Sequence, residues 1–166
     1  MPEPLFTDTT QIAIVVRDLD EALHTYVHEY GIGPWRVYEI GPKDIEDLVY
    51  DDEPLEYAMR IALAQVGRVE WELIQPTDDK GPYVEFLKTK GEGLHHVGVS
   101  VRDYDEALGA LRDKGHTVHI GGVYQGARLA YVSTDRDLKA MTEIVDPPET
   151  GGPEPSSIYP PAAVAS

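Results

Sequence analysis

No cysteine occurs in the 166 residues, which excludes disulfides and any thiolate metal site. Basic residues are scarce: 14 Lys and Arg stand against 30 Asp and Glu, giving a formal charge of −16. A field of that sign repels phosphate backbones and anionic lipid, so neither nucleic acid nor a membrane is an expected partner. No apolar run approaches the roughly 18 residues that would span a bilayer. The opening MPEPLFTDTT lacks the basic and apolar regions of a signal peptide. A cytoplasmic protein is the expectation from these absences. The acid is concentrated in DIEDLVYDDEPLE, residues 44 to 56, which reads as a solvated loop, with a mobile lid over a site as the functional alternative.

An internal repeat stands out against this background. Residues 16 to 23 read VRDLDEAL and residues 101 to 108 read VRDYDEAL, an offset of 85. Such self-similarity decides architecture before any single residue does. Upstream, QIAIV answers HVGVS, so Gln11 falls opposite His96. Downstream, ELIQP from Glu72 answers EIVDP from Glu143, an offset of 71, so the first copy is 14 residues longer between its landmarks (85 − 71).

Period-two alternation over Gln11–Val16 puts Gln11, Ala13 and Val15 on one face and Ile12, Ile14 and Val16 on the other. The second copy repeats this, with His96, Gly98 and Ser100 against Val97, Val99 and Val101. One face is bulky and aliphatic, fit to lie under a helix. The other carries one polar residue followed by small ones, which leaves room for a cavity. Asp18 or Asp20, and Asp103 or Asp105, can cap the helices that follow, and Gly31 and Gly115 end them. His24 and His28 lie four apart on the first helix and read as a solvent-facing or packing pair. Strands are expected at WRVYEI, YAMRIALAQV and VEWELIQP, a short helix at PYVEFLKTK, and further strands at HTVHIGG, ARLAYVST and KAMTEIVDP. Each half is thus a strand, a helix and about three strands, an α+β module. The chain divides into a flexible lead-in (1–10), a first module (11–76), a connector (77–94), a second module (95–147) and a disordered Pro/Gly-rich tail (148–166).

If a pseudo-twofold relates the halves, Gln11, Glu72, His96 and Glu143 converge near its axis. Together they offer an amide oxygen, an imidazole nitrogen and two carboxylates. That donor set suits one divalent ion (Zn, Mn, Co, Ni or Fe) with positions left for water or substrate. Singly, each residue reads as structural.

The chain resembles the vicinal oxygen chelate superfamily, the glyoxalase I and methylmalonyl-CoA epimerase group, over about Gln11 to Pro147. GLHHVGVSV at 93 to 101, VEWELIQP and MTEIVDP carry the resemblance. It implies two tandem βαβββ modules forming a U-shaped mixed-sheet cleft around one divalent metal, with Gln11, Glu72, His96 and Glu143 as ligands. The epimerases place His at the position of Gln11 and Gln at that of Glu72; the set found here is similar to that of eukaryotic-type zinc glyoxalase I. The epimerases' proposed basic Glu would fall at or near Arg60. Extradiol dioxygenases of the superfamily use two His and one Glu, which Gln11 argues against. The implied function is a metal-dependent isomerase, epimerase or lyase acting through an enolate of a small carbonyl or acyl substrate with vicinal oxygens. Glu143 would be the base, Glu72 its partner for the opposite face and Glu70 a lesser candidate. Arg60 would hold an anionic substrate group; Tyr124 and Tyr131 read as core aromatics of their strands, with lining of the cleft as the functional alternative. His95 points away from His96 by alternation. A homodimer is expected. The alternative is a non-catalytic small-molecule-binding protein of the resistance type.

Overall fold

The computed structural model describes residues 3–148 and 151–161. In the first half, β1 (Asp8–Val15) and α1 (Leu19–His28) precede β2 (Trp35–Ile40), β3 (Ile45–Tyr50), β4 (Glu53–Pro54), β5 (Met59–Val66) and β6 (Val69–Pro76). The connector holds α2 (Pro82–Thr89). The second half runs β7 (Gly93–Ser100), α3 (Tyr104–Asp113), β8 (Val118–Tyr124), β9 (Ala127–Val132), α4 (Asp135–Leu138) and β10 (Met141–Asp146), and β11 (Ser157–Tyr159) follows.

The repeat is visible in the helices. α1 and α3 each span ten residues and start 85 apart (104 − 19). Asp18 accepts from the Glu21 amide at 3.0 Å, and Asp103 from the Glu106 amide at 2.8 Å. Each bond satisfies an orphan N–H, and the acidic first turns suit the positive end of the helix dipole. Of the two capping candidates in each copy, the first is used.

All strands join one mixed sheet in the order β11-β2-β5-β6-β1-β7-β10-β9-β8-β3-β4. Without β11 and the β3–β4 hairpin, the order is 2-5-6-1 followed by 7-10-9-8, a palindrome about the antiparallel β1–β7 seam. β1 runs parallel to β6 and β7 parallel to β10. This is the arrangement that a twofold through the seam produces, and it is the expected two-module α+β fold.

Alternation sorts the core as the pattern requires. Ile14 and Val16 pack with Leu19, Leu23, Trp35 and Leu73 beneath α1. Val97, Val99 and Val101 pack with Ala107, Leu108 and Leu111 beneath α3. Ala13, Val15, Tyr38, Ile40, Ile61, Ile74 and Tyr131 belong to a third cluster on the opposite face. The sheet is open, since its end strands β11 and β4 do not pair with each other. Residues 41–44 nevertheless carry the chain from β2 on one flank to β3 on the other, a reach of at most about 18 Å. The flanks therefore approach each other across a concave cleft.

Three expectations are corrected. The acidic segment 44–56 is a hairpin, with β3 paired to β8 of the other half. A bulge between Glu46 and Val49, with Asp47 at φ 49°, turns both Ile45 and Leu48 into the core, while the acids face water. Two apolar anchors override the charge pattern. The lead-in is shorter than residues 1–10, because Asp8 and Thr9 pair with Ser100 and Val99. In the Pro/Gly-rich tail, Ser157–Tyr159 pair antiparallel with Trp35–Val37, and Tyr159 packs beside the cluster under α1. An edge strand with free amides and carbonyls offers backbone bonds that composition does not reveal. Residues 149–150 and 162–166 of that tail lie outside the described residues. Among the described residues no helix is long and apolar enough to cross a membrane.

Candidate metal centre

The four strands at the seam carry the four candidate ligands side by side: Glu72 on β6, Gln11 on β1, His96 on β7 and Glu143 on β10. Register sets them in two rows. Glu72, Ala13 and His96 face one another in the first, and Gln11, Gly98 and Glu143 in the second. Ala13 and Gly98 are themselves repeat equivalents (98 − 13 = 85), and they stand at the two crossing points. Their small size lets the neighbouring polar side chains reach over the seam. At Gly98 nothing larger fits, because a Cβ there would lie 2.7 Å from the Gln11 Cβ.

His96 is fully buried, and Glu72 and Glu143 are 6% and 7% exposed. His96 Nε2 lies 3.5 Å from Glu72 Oε2 and 3.4 Å from Glu143 Oε2. Gln11 Oε1, Glu72 Oε2 and His96 Nε2 are buried without a hydrogen-bond partner. Bare groups of this kind cost about 1–3 kcal/mol each. Donors held about 2.1 Å from a common tetrahedral ion stand about 3.4 Å apart, which is the spacing found. Among the described residues no three His, Asp or Glu side chains stand as a finished shell. The fit therefore rests on the spacing and the bare atoms, with the Gln11 amide as fourth donor. Burial pushes the Glu72 carboxyl well above the usual carboxylate range, and the Glu143 and Glu70 charges add to it. Two carboxylates facing each other in a dry site call for positive charge between them.

His95 departs from the sequence reading. The β1–β7 register shifts between Ala13 and Ile14, opposite His96 and Leu94, and this bulge breaks the alternation. His95 thereby turns beside His96, with the two Nδ1 atoms 2.9 Å apart. Burial, with His96 and Lys90 adding to it, pushes the His95 imidazole down to about 3, so it is neutral at physiological pH. Tyr83 and Phe86 of α2 centre their rings 5.0 Å from that of His95, and the Tyr131 ring stands perpendicular to that of His96 with their centroids 4.6 Å apart. The Tyr83 and Tyr131 hydroxyls are 3.4 Å apart. Burial raises Tyr57, Tyr83 and Tyr131 above the ordinary phenol value and keeps them protonated. No sequence signal marked the bulge or Tyr83.

The ligand set opens onto a cleft of about 770 Å³. Tyr38, Ile40, Ile61 and Leu63 line one flank and Tyr124, Leu129 and Tyr131 the other, with Pro147 at the end of the second module and Gly152 and Pro153 of the tail also in the lining. Tyr124 and Tyr131 both line the cleft, and Tyr131 is at the same time buried in the core cluster. Glu70 shares this face and is ion-paired with Arg36, the cationic residue of the lining. Arg60 is not brought to the site. It lies between Met59 and Ile61 on β5, which face the cleft, and so points to the helix side. There its guanidinium binds Asp20 of α1 at 3.0 Å and Glu39 at 2.9 Å. A substrate-binding role for Arg60 does not fit that position. His24 and His28 are exposed, with their rings in tilted contact at 4.4 Å.

Residues 10–134 match the family described as the Glyoxalase/Bleomycin resistance protein/Dioxygenase superfamily. The uncharacterized protein YqjC of Bacillus subtilis (strain 168) is 32% identical over 95 residues, 55% of this chain and 68% of its own length. A methylmalonyl-CoA epimerase in complex with methylmalonyl-CoA and NH4+ has a similar structure, with TM-score 0.66 and 22% identity over 89% of this chain and 99% of that one. The epimerase of Mycobacterium tuberculosis gives 0.64 and 23% over 89% and 92%. At these identities the likeness is one of fold.

Proposed function

Because the chain belongs to the Glyoxalase/Bleomycin resistance protein/Dioxygenase superfamily, we propose that it is a divalent-metal-dependent isomerase, epimerase or lyase for a small carbonyl or acyl substrate with two neighbouring oxygens. The observation that carries this reading is the bare, buried set of Gln11 Oε1, Glu72 Oε2 and His96 Nε2 at the floor of the cleft. Gln11, Glu72, His96 and Glu143 would hold the ion, which when bound supplies Lewis-acid polarisation of a carbonyl.

The remaining work falls to the chain. The Glu143 carboxylate takes a proton from the carbon beside the carbonyl, and Glu72, its repeat equivalent, serves the opposite face. The apolar flanks offer the substrate a greasy surface beside the ligands, and the perpendicular Tyr131 ring holds the His96 ring in place.

The cleft also bounds the substrate. Its charged lining is Arg36, Glu70, Glu72 and Glu143, and Arg36 is already paired with Glu70. A compact carbonyl or acyl group suits such a site, whereas the phosphates of an acyl-CoA would find no unpaired cation among the described residues of the lining.

Proton exchange tests the proposal. Zn-, Mn- or Co-loaded protein is incubated in D2O with 2-oxo acids, 2-hydroxy carbonyls and short acyl thioesters, and loss of the α-proton signal is followed by NMR. Exchange that falls at least about 100-fold in Glu143→Gln is the expected result. Tight binding of such a compound with no exchange in the wild type would overturn it in favour of a sequestering protein.

A further inference from the structure

We infer that His95 is the positioning residue of this site: its Nδ1 accepts the Nδ1–H of His96 and so holds the His96 Nε2 lone pair toward Glu72 and Glu143. This rests on the metal reading above. An imidazole nitrogen that binds a cation carries no proton, so the other ring nitrogen carries it and needs an acceptor. Among the described residues His96 Nδ1 has one polar neighbour, His95 Nδ1 at 2.9 Å. Two facing ring nitrogens at that distance attract when one holds a hydrogen and the other a lone pair, and repel otherwise.

The surroundings fix the acceptor in place. The bulge in β7 aims His95 at His96 instead of across the sheet. Tyr83 and Phe86 then clamp the His95 ring at 5.0 Å each, one tilted by 59° and the other edge-on at 68°. α2, a helix of the connector between the repeats, thus supports the metal centre through His95. The first copy has no counterpart, because Thr10 precedes Gln11 where His95 precedes His96. An amide ligand has no second ring nitrogen to satisfy. A packing role alone would not require this nitrogen, since a phenyl ring would fill the same aromatic cage.

The test is Zn²⁺ affinity, measured by chelator competition on protein freed of metal. His95→Phe keeps the ring and removes the acceptor; His95→Asn places an amide oxygen close to the lost Nδ1. His95→Phe is expected to weaken Zn²⁺ binding about 10–100-fold and His95→Asn to restore it to within about threefold of wild type. Equal affinity in wild type and His95→Phe would overturn the positioning role and leave the metal site standing. No Zn²⁺ uptake by wild type would overturn the metal reading and this inference with it. A direct readout uses Zn-loaded wild type labelled with ¹⁵N at histidine, and needs no variant to fold. A scalar coupling between the two Nδ1 nuclei across the hydrogen bond is expected, and its absence would overturn the assignment.

Discussion

Gly98→Ala places a methyl group where the structure has no room for one. The new Cβ would stand 2.7 Å from the Gln11 Cβ and 3.1 Å from Thr10 Oγ1, whereas carbons in contact rest about 3.5–4.0 Å apart. Neither carbon can swing aside, because both are fixed to backbone at the paired positions Gln11 and Gly98. β1 and β7 must therefore separate by about 1 Å at the seam. Overpacking of this kind costs about 1–3 kcal/mol, which lowers Tm by roughly 2–4 °C per kcal/mol in a chain of this size. Gln11 moves with its strand, so its amide is displaced from His96 and Glu143, and metal affinity is expected to fall about tenfold or more. Thermal unfolding of the metal-free protein reads the first effect and chelator competition the second. A Gly98→Ala protein with wild-type Tm and wild-type metal affinity would refute the argument that the seam's small residues make the site.

Gly109→Ala is the opposite case: the position is inside α3 with nothing within 4 Å of an added Cβ, so a gain of about 0.4–1 kcal/mol is expected in urea unfolding. Arg60→Met removes the bonds to Asp20 and Glu39, whose side chains are 75% and 60% exposed. It should cost about 0.5–1 kcal/mol and leave metal and ligand affinity unchanged; weakened ligand binding would return Arg60 to the site. The folded-state value of Glu72 lies above its unfolded one, so the metal-free folded chain keeps a proton that the unfolded chain releases. Stability of the metal-free protein then falls as pH rises from the ordinary carboxylate range through the raised value. Melting curves from pH 5 to 8 should show that loss in wild type and a flatter profile in Glu72→Gln.

How far the sequence could be read depended on how local the governing interactions are. The repeat VRDLDEAL and VRDYDEAL placed α1 and α3, their Asp caps and the strands before them, because helix capping and alternation act within a few residues. The motifs around Glu72, His96 and Glu143 pointed to the superfamily that residues 10–134 then matched. Gln11, Glu72, His96 and Glu143 were legible as a set because equivalent positions of a repeat meet at its axis. Features decided by distant pairing were not legible. The hairpin at Ile45–Tyr50 depends on β8, and β11 on the free edge of β2. Alternation alone puts His95 on the face opposite His96, and the bulge that shifts the β1–β7 register overrides it. Arg60 was drawn to the site by resemblance, although strand parity set it beside Asp20.

Metal titration of the metal-free protein, with His96→Ala and Glu143→Ala alongside the wild type, decides whether Gln11, Glu72, His96 and Glu143 hold an ion. One divalent ion per chain is expected in the wild type, with affinity lost in both variants. No uptake by the wild type, or uptake undiminished in the variants, would contradict it.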